Sequence, residues 1–171
     1  MEMNDFIIDI LNQTQEAVTR AVDGLTREEL AFQPDKECNS IGFILWHQAR
    51  AEDSLINGMV QQKPQVWTTE NWHQKMKVTE NPDDSGWGYT AEQIAAFPVP
   101  ELKDLLSYAE AVRAKTVEYL KGMTSTDFDK KVQTPFGELT IGHMLSLTMC
   151  ELNQHTGQIA YLRGLQRGLN K

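Results

Sequence analysis

Apolar side chains recur at alternating steps of three and four in four long stretches of this chain. Such spacing lines one face of an α-helix, whereas a half-buried strand needs strict alternation, and no convincing alternating run is present. The first stretch carries Ile7, Leu11, Thr14, Val18, Ala21, Val22 and Leu25 and predicts a helix from about Asn4 to Gly24. Thr26 and Glu29 then make a capping-box pair before Leu30 and Phe32, which predicts a short helical turn. Ser40 is a good N-cap for a second long helix with the stripe Ile41, Ile44, Leu45, Gln48, Glu52, Leu55 and Met59, stopping near Gly58. Polar residues interrupt that stripe at its middle. The third helix starts near Pro100, a residue suited to a first turn, and ends at Gly122. It carries Leu102, Leu105, Leu106, Ala109, Val112, Thr116, Tyr119 and Leu120. The fourth follows a TPFGEL turn, is capped by Thr140, and presents Ile141, Met144, Leu145, Thr148, Leu152, His155, Ile159 and Leu162.

Four amphipathic helices must bury their stripes against one another, so the expected fold is all-α, a four-helix bundle. A long connection, Gln61 to Tyr89, joins the second and third helices. Connections beyond about 12–15 residues are uncommon in compact domains unless they serve a function. This one holds Trp67, Trp72 and Trp87, three of the four tryptophans, and Thr69 could cap a short helix over ENWHQKM. At 171 residues the chain has room for one domain with a full core.

The formal charge of −8 supplies no broad basic field, so neither nucleic acid nor an anionic membrane is an expected partner. No apolar run approaches the roughly 18 residues of a membrane span. The opening MEMNDFIIDILNQ has acids where a signal peptide needs lysine or arginine, and Cys38 and Cys150 form no CxxC pair. A cytoplasmic protein acting on a small-molecule substrate is the expectation.

The histidines are His47, His73, His143 and His155. Glu151 and His155 are four residues apart on the fourth helix, about 40° around the axis, so both can reach one ion. A carboxylate facing a bundle core is costly unless it is paired or bound to a cation. His143 lies about 18 Å further along the axis and cannot share the site. His47, on another helix, can. Two imidazoles and one carboxylate suit catalytic zinc, and also non-haem iron, manganese or nickel. The residues alone leave other options open: Glu151 could pair with Arg50, and His47 could be a satisfied core histidine.

With SIGFILWHQARAED early and TIGHMLSLTMCELNQHTGQIAYLRG late, the chain resembles the DinB-like superfamily. That superfamily includes the YfiT-type bacillithiol transferases and the mycothiol-dependent maleylpyruvate isomerases. The resemblance covers nearly the whole chain, and LWHQARAE and HTGQIAYLRG are its specific blocks. It implies a four-helix bundle of DinB/YfiT type, a divalent metal held by three side chains and, by analogy, a homodimer. His47 matches the early ligand and His155 the histidine before the GQ pair. The chain departs from the pattern at Glu151, where many members carry histidine. A charged ligand lowers the site's net positive charge and weakens the ion as a Lewis acid. Zinc or nickel is the expected ion, with manganese or iron as alternatives.

The activity implied is thiol-dependent transfer, in which the ion activates a low-molecular-weight thiol as thiolate. Metal-assisted hydrolysis, or a bundle that binds a ligand or partner without chemistry, are the alternatives. Glu52 is the candidate general base, although a carboxylate there equally suits an ion pair. Gln158, three residues past His155, could orient a ligand or water. Trp46 and Trp72 are candidate contacts for a bound cofactor or ligand, against a reading in which the loop tryptophans anchor the loop. Gly157 allows close helix packing beside His155. Cys150 reads as a small buried hydrophobe, and His73 as a surface histidine.

Overall fold

The computed structural model describes residues 2–168. Met3–Val22 (α1) leads through the short Arg27–Ala31 helix (α2) to Ile41–Glu52 (α3), which continues as a π-helical segment, Asp53–Val60. Two short helices, Val66–Thr69 (α4) and Trp72–Met76 (α5), and a third, Ala91–Ala95 (α6), precede Leu102–Lys121 (α7). A 3-10 turn, Ser125–Asp129, and a hairpin of Lys131–Thr134 (β1) and Gly137–Thr140 (β2) lead into Ile141–Arg167 (α8). α8 packs against α1 and α3, and α7 packs against α3 and α1, so the order around the bundle is α1, α8, α3, α7.

Three of the caps fall where the sequence puts them. Thr26 and Glu29 close a reciprocal capping box, Ser40 accepts from Phe43 N, and Thr140 accepts from His143 N. α3 explains the long connection that follows it. Every residue from Ile41 to Arg50 is buried, and a helix buried all round must be covered all round. Residues 61–99 supply that cover: Val66, Trp67, Trp72 and Met76 join the apolar cluster built on α3, with Phe97 and Val99 packed against it. A second cluster, including Ile7, Leu11, Ile56, Leu120, Phe128, Met144 and Leu145, fills the other end of the bundle.

Four local expectations are corrected. The TPFGEL turn is the tip of an antiparallel hairpin, with Lys131 opposite Thr140 and Gly137 at φ +103°. Strands of four residues are too short to show alternation. The second long helix reaches Val60, and its last part is a π-helix rather than an α-helix. Thr69 caps nothing: it ends α4, and its hydroxyl donates to Gln65 O, while α5 starts from Asn71 in the left-handed region. Pro100 precedes α7, whose N-cap is Glu101. Among the described residues no helix is long and apolar enough to cross a membrane.

Candidate metal centre

α3 and α8 lie side by side, and their facing surfaces bring together residues 104 positions apart. Glu151 Oε1 is 3.2 Å from His47 Nε2 and 3.0 Å from His155 Nε2. One donor atom from each of the three residues lies within 4.8 Å of the others. The two imidazole rings stand nearly perpendicular, 4.9 Å apart between centroids. The side chains of His47, Glu151 and His155 are 8%, 22% and 12% exposed, so the cluster opens to solvent on the Glu151 side.

The outer nitrogens settle which ring atoms face inward. His47 Nδ1 is 2.5 Å from Ser85 O, a carbonyl that only accepts, so Nδ1 carries the hydrogen. His155 Nδ1 is 2.8 Å from Gln158 Oε1 and donates to it. With the hydrogen on Nδ1, a ring in its neutral form presents an Nε2 lone pair, and both rings aim Nε2 at the same carboxylate oxygen. Acceptor facing acceptor is unfavourable unless a proton or a metal cation lies between. Two imidazoles and a carboxylate, each imidazole held through its far nitrogen, form a donor set that fits a divalent ion.

The other sequence candidates separate clearly. Gln158 sits behind His155 and holds its ring. Glu52 is not in the cluster. It is 2% exposed, and both its oxygens accept from Arg113, Oε1 from Nε at 2.9 Å and Oε2 from Nη2 at 2.8 Å. Both oxygens are taken up by one guanidinium, so the ion pair that the sequence offered as the alternative to a general base is the arrangement found. Trp46, fully buried, lies among Phe43, Trp67, Tyr89 and Phe97. Trp72 is buried against Tyr108, and its indole donates to Glu70. Both tryptophans pack the covering segment onto α3 instead of lining the metal centre. Arg50 does not pair with Glu151; it turns toward Asp53 and the loop. Cys150 is exposed, not buried, because it lies on the outer face of α8. Nothing lies within 4 Å of where a Cβ on Gly157 would be, so that glycine serves no close packing. No residue type marks Ser85 in advance, because its contribution is a backbone carbonyl.

The family model of the DinB superfamily matches residues 10–159. The chain belongs to the DinB superfamily. Two solved structures share its fold. A conserved protein from Enterococcus faecalis is 22% identical with a TM-score of 0.85, covering 96% of this chain and 97% of that one. YfiT from Bacillus subtilis, described as a probable metal-dependent hydrolase with an unusual four-helix bundle topology, is 16% identical with a TM-score of 0.63. That match covers 98% of this chain and 90% of YfiT. No curated protein matches the chain. Within this DinB-superfamily bundle, His47 and His155 stand on the two helices that carry the LWHQARAE and HTGQIAYLRG blocks.

Proposed function

We propose that this protein is a divalent-metal-dependent enzyme that transfers a low-molecular-weight thiol to a small electrophile, with His47, Glu151 and His155 as the metal ligands. The observation that carries the metal reading is the convergence of two Nε2 atoms on Glu151 Oε1, each ring held from behind by an acceptor. A bound divalent ion supplies Lewis acidity, which lowers the pKa of a thiol or a water. Zinc and nickel match the ligand set best, and manganese or iron is compatible with it.

The choice between thiol and water follows from what the chain puts around the ligands. A carboxylate ligand reduces the positive charge an ion presents. Glu52, the nearest candidate base in the sequence, is held by Arg113. A thiol, with an ordinary pKa of about 8.5, needs a far smaller push than water at about 15.7. A site with a carboxylate ligand, whose one sequence-suggested base is tied to Arg113, is matched to the easier deprotonation. In the transfer, the thiol proton leaves to solvent and sulfur bonds to the electrophilic carbon. The bond to the acceptor's leaving group breaks with its electron pair. The description of YfiT supports hydrolysis as the second reading.

The test is turnover of a small thiol with an activated aryl halide, using zinc- and nickel-loaded protein. Turnover lost in His47→Ala supports the thiol reading. Hydrolysis of ester substrates with no thiol dependence would favour the second reading. Metal binding without either activity would leave a binding bundle.

A further inference from the structure

Arg50 is fully buried three residues after His47, and its guanidinium is committed almost entirely to the covering segment. Nη2 donates to Pro82 O at 2.6 Å, and Nε donates to Asp84 O at 3.3 Å. Nη1 donates to Gln65 Oε1 at 2.7 Å and to the Tyr108 hydroxyl at 3.1 Å, while Asp53 Oδ2 stands 3.7 Å away. A buried ion pair returns little net stability, because desolvation offsets the attraction. What Arg50 does is fix two loop carbonyls, those of Pro82 and Asp84, on either side of Asp83.

The next carbonyl along is that of Ser85, the acceptor for His47 Nδ1. Two further anchors hold it in place. The Asp84 carboxylate accepts from Gly86 N at 3.1 Å and from the Tyr89 hydroxyl at 2.8 Å. Burial and Asp84 push the Tyr89 hydroxyl up to about 12, so it keeps its proton and goes on donating. Gly86, at φ +81°, lies so close to α3 that a Cβ there would stand 2.7 Å from Trp46 Cζ3 and 2.8 Å from Phe43 Cζ.

Phe43 stacks nearly parallel to the His47 ring, with an interplanar angle of 4°. Stacking fixes the ring plane but does not distinguish the ring from its flipped form, which exchanges Nδ1 with Cδ2. The Ser85 carbonyl makes that distinction. We propose that Arg50, Asp84 and Gly86 are positioning residues for His47. Acting through the Ser85 carbonyl, they hold Nε2 toward Glu151 and His155. This rests on the metal reading above and extends it to residues that touch neither metal nor substrate.

Zinc affinity of the metal-free full-length protein, measured by competition with a chromophoric chelator, tests the proposal beside the thermal midpoint of each metal-free variant. Asp84→Ala and Gly86→Ala are expected to weaken zinc binding about 10- to 100-fold, the usual cost of losing an outer-shell partner. Tyr89→Phe, which removes only one hydroxyl, keeps the fold and should weaken binding less. Trp87→Ala, an exposed neighbour in the same loop, should change nothing. Variants that melt earlier yet bind zinc with wild-type affinity would make the clamp purely structural and overturn the inference, leaving the metal centre standing. A wild-type protein that takes up neither zinc nor nickel would overturn both.

Discussion

A buried carboxylate can act as a base only if it is free to take a proton, and the contrast between Glu52 and Glu151 shows how position decides this. Glu52 faces Arg113 across α3 and α7 and is satisfied by it, whereas among the described residues Glu151 Oε1 meets the two imidazole nitrogens of His47 and His155. Glu52→Ala should leave the Arg113 charge buried and uncompensated, lowering stability by about 3–5 kcal/mol in chemical denaturation. The same variant should keep its zinc stoichiometry and affinity, because no ligand is touched. Loss of metal with stability intact would return Glu52 to the site. At this scale the sequence was informative where residues share a helix. The step of four between Glu151 and His155, and the step of three to Gln158, are fixed by helical geometry. It was silent where a partner arrives through loop closure. Ser85 acts through its backbone, which no side chain advertises, and Arg50 finds its acceptors more than 30 residues away.

The helices were legible because stripe and cap agree: Ser40, Thr140 and the Thr26–Glu29 box all begin helices as their residue types predict. The hairpin and the π-helical turn were not, since four-residue strands carry no period and a π turn has no composition of its own. The burial of α3 on every side was not legible either, because His47, Gln48, Arg50 and Glu52 make its sequence read as an interrupted stripe. Glu29 has a second duty beyond its cap. Arg167, in the last turn of α8, donates from Nε to Glu29 Oε1 at 2.6 Å and from Nη2 to Oε2 at 2.7 Å, docking that turn on α2. The Arg167 guanidinium and the Thr26 N–H hold the Glu29 carboxyl down to about 2, below the ordinary value of 4.5. A carboxylate with a depressed native pKa stabilises fully above its unfolded pKa, and that contribution disappears as pH falls through the native value. Glu29→Gln should therefore melt below the wild type at neutral pH. The gap between the two should narrow as pH drops from 4.5 and close near 2. A gap still open at pH 2, followed by circular dichroism, would mean the pair is not what docks α8.

Two apolar clusters fill the bundle, and the candidate ligands join its longest helix to its most buried one. The covering segment, α7 and the hairpin separate α3 from α8 along the chain, so the donor set does not exist in the unfolded chain. An ion that binds the native state and not the unfolded one must then raise stability by mass action. At a free zinc concentration of 100 times Kd the gain is about 2.7 kcal/mol. For a chain of this size, about 2–4 °C per kcal/mol converts that into a rise of about 5–11 °C in the thermal midpoint. The rise should reverse on adding a chelator and vanish in His47→Ala, which removes the one ligand that α3 contributes. Glu151→Gln should lose most of it, since a neutral amide cannot replace the carboxylate between two imidazoles. If instead a proton fills the space between the rings, zinc would leave the melting curve where it was, and the shift would follow pH in place of metal concentration.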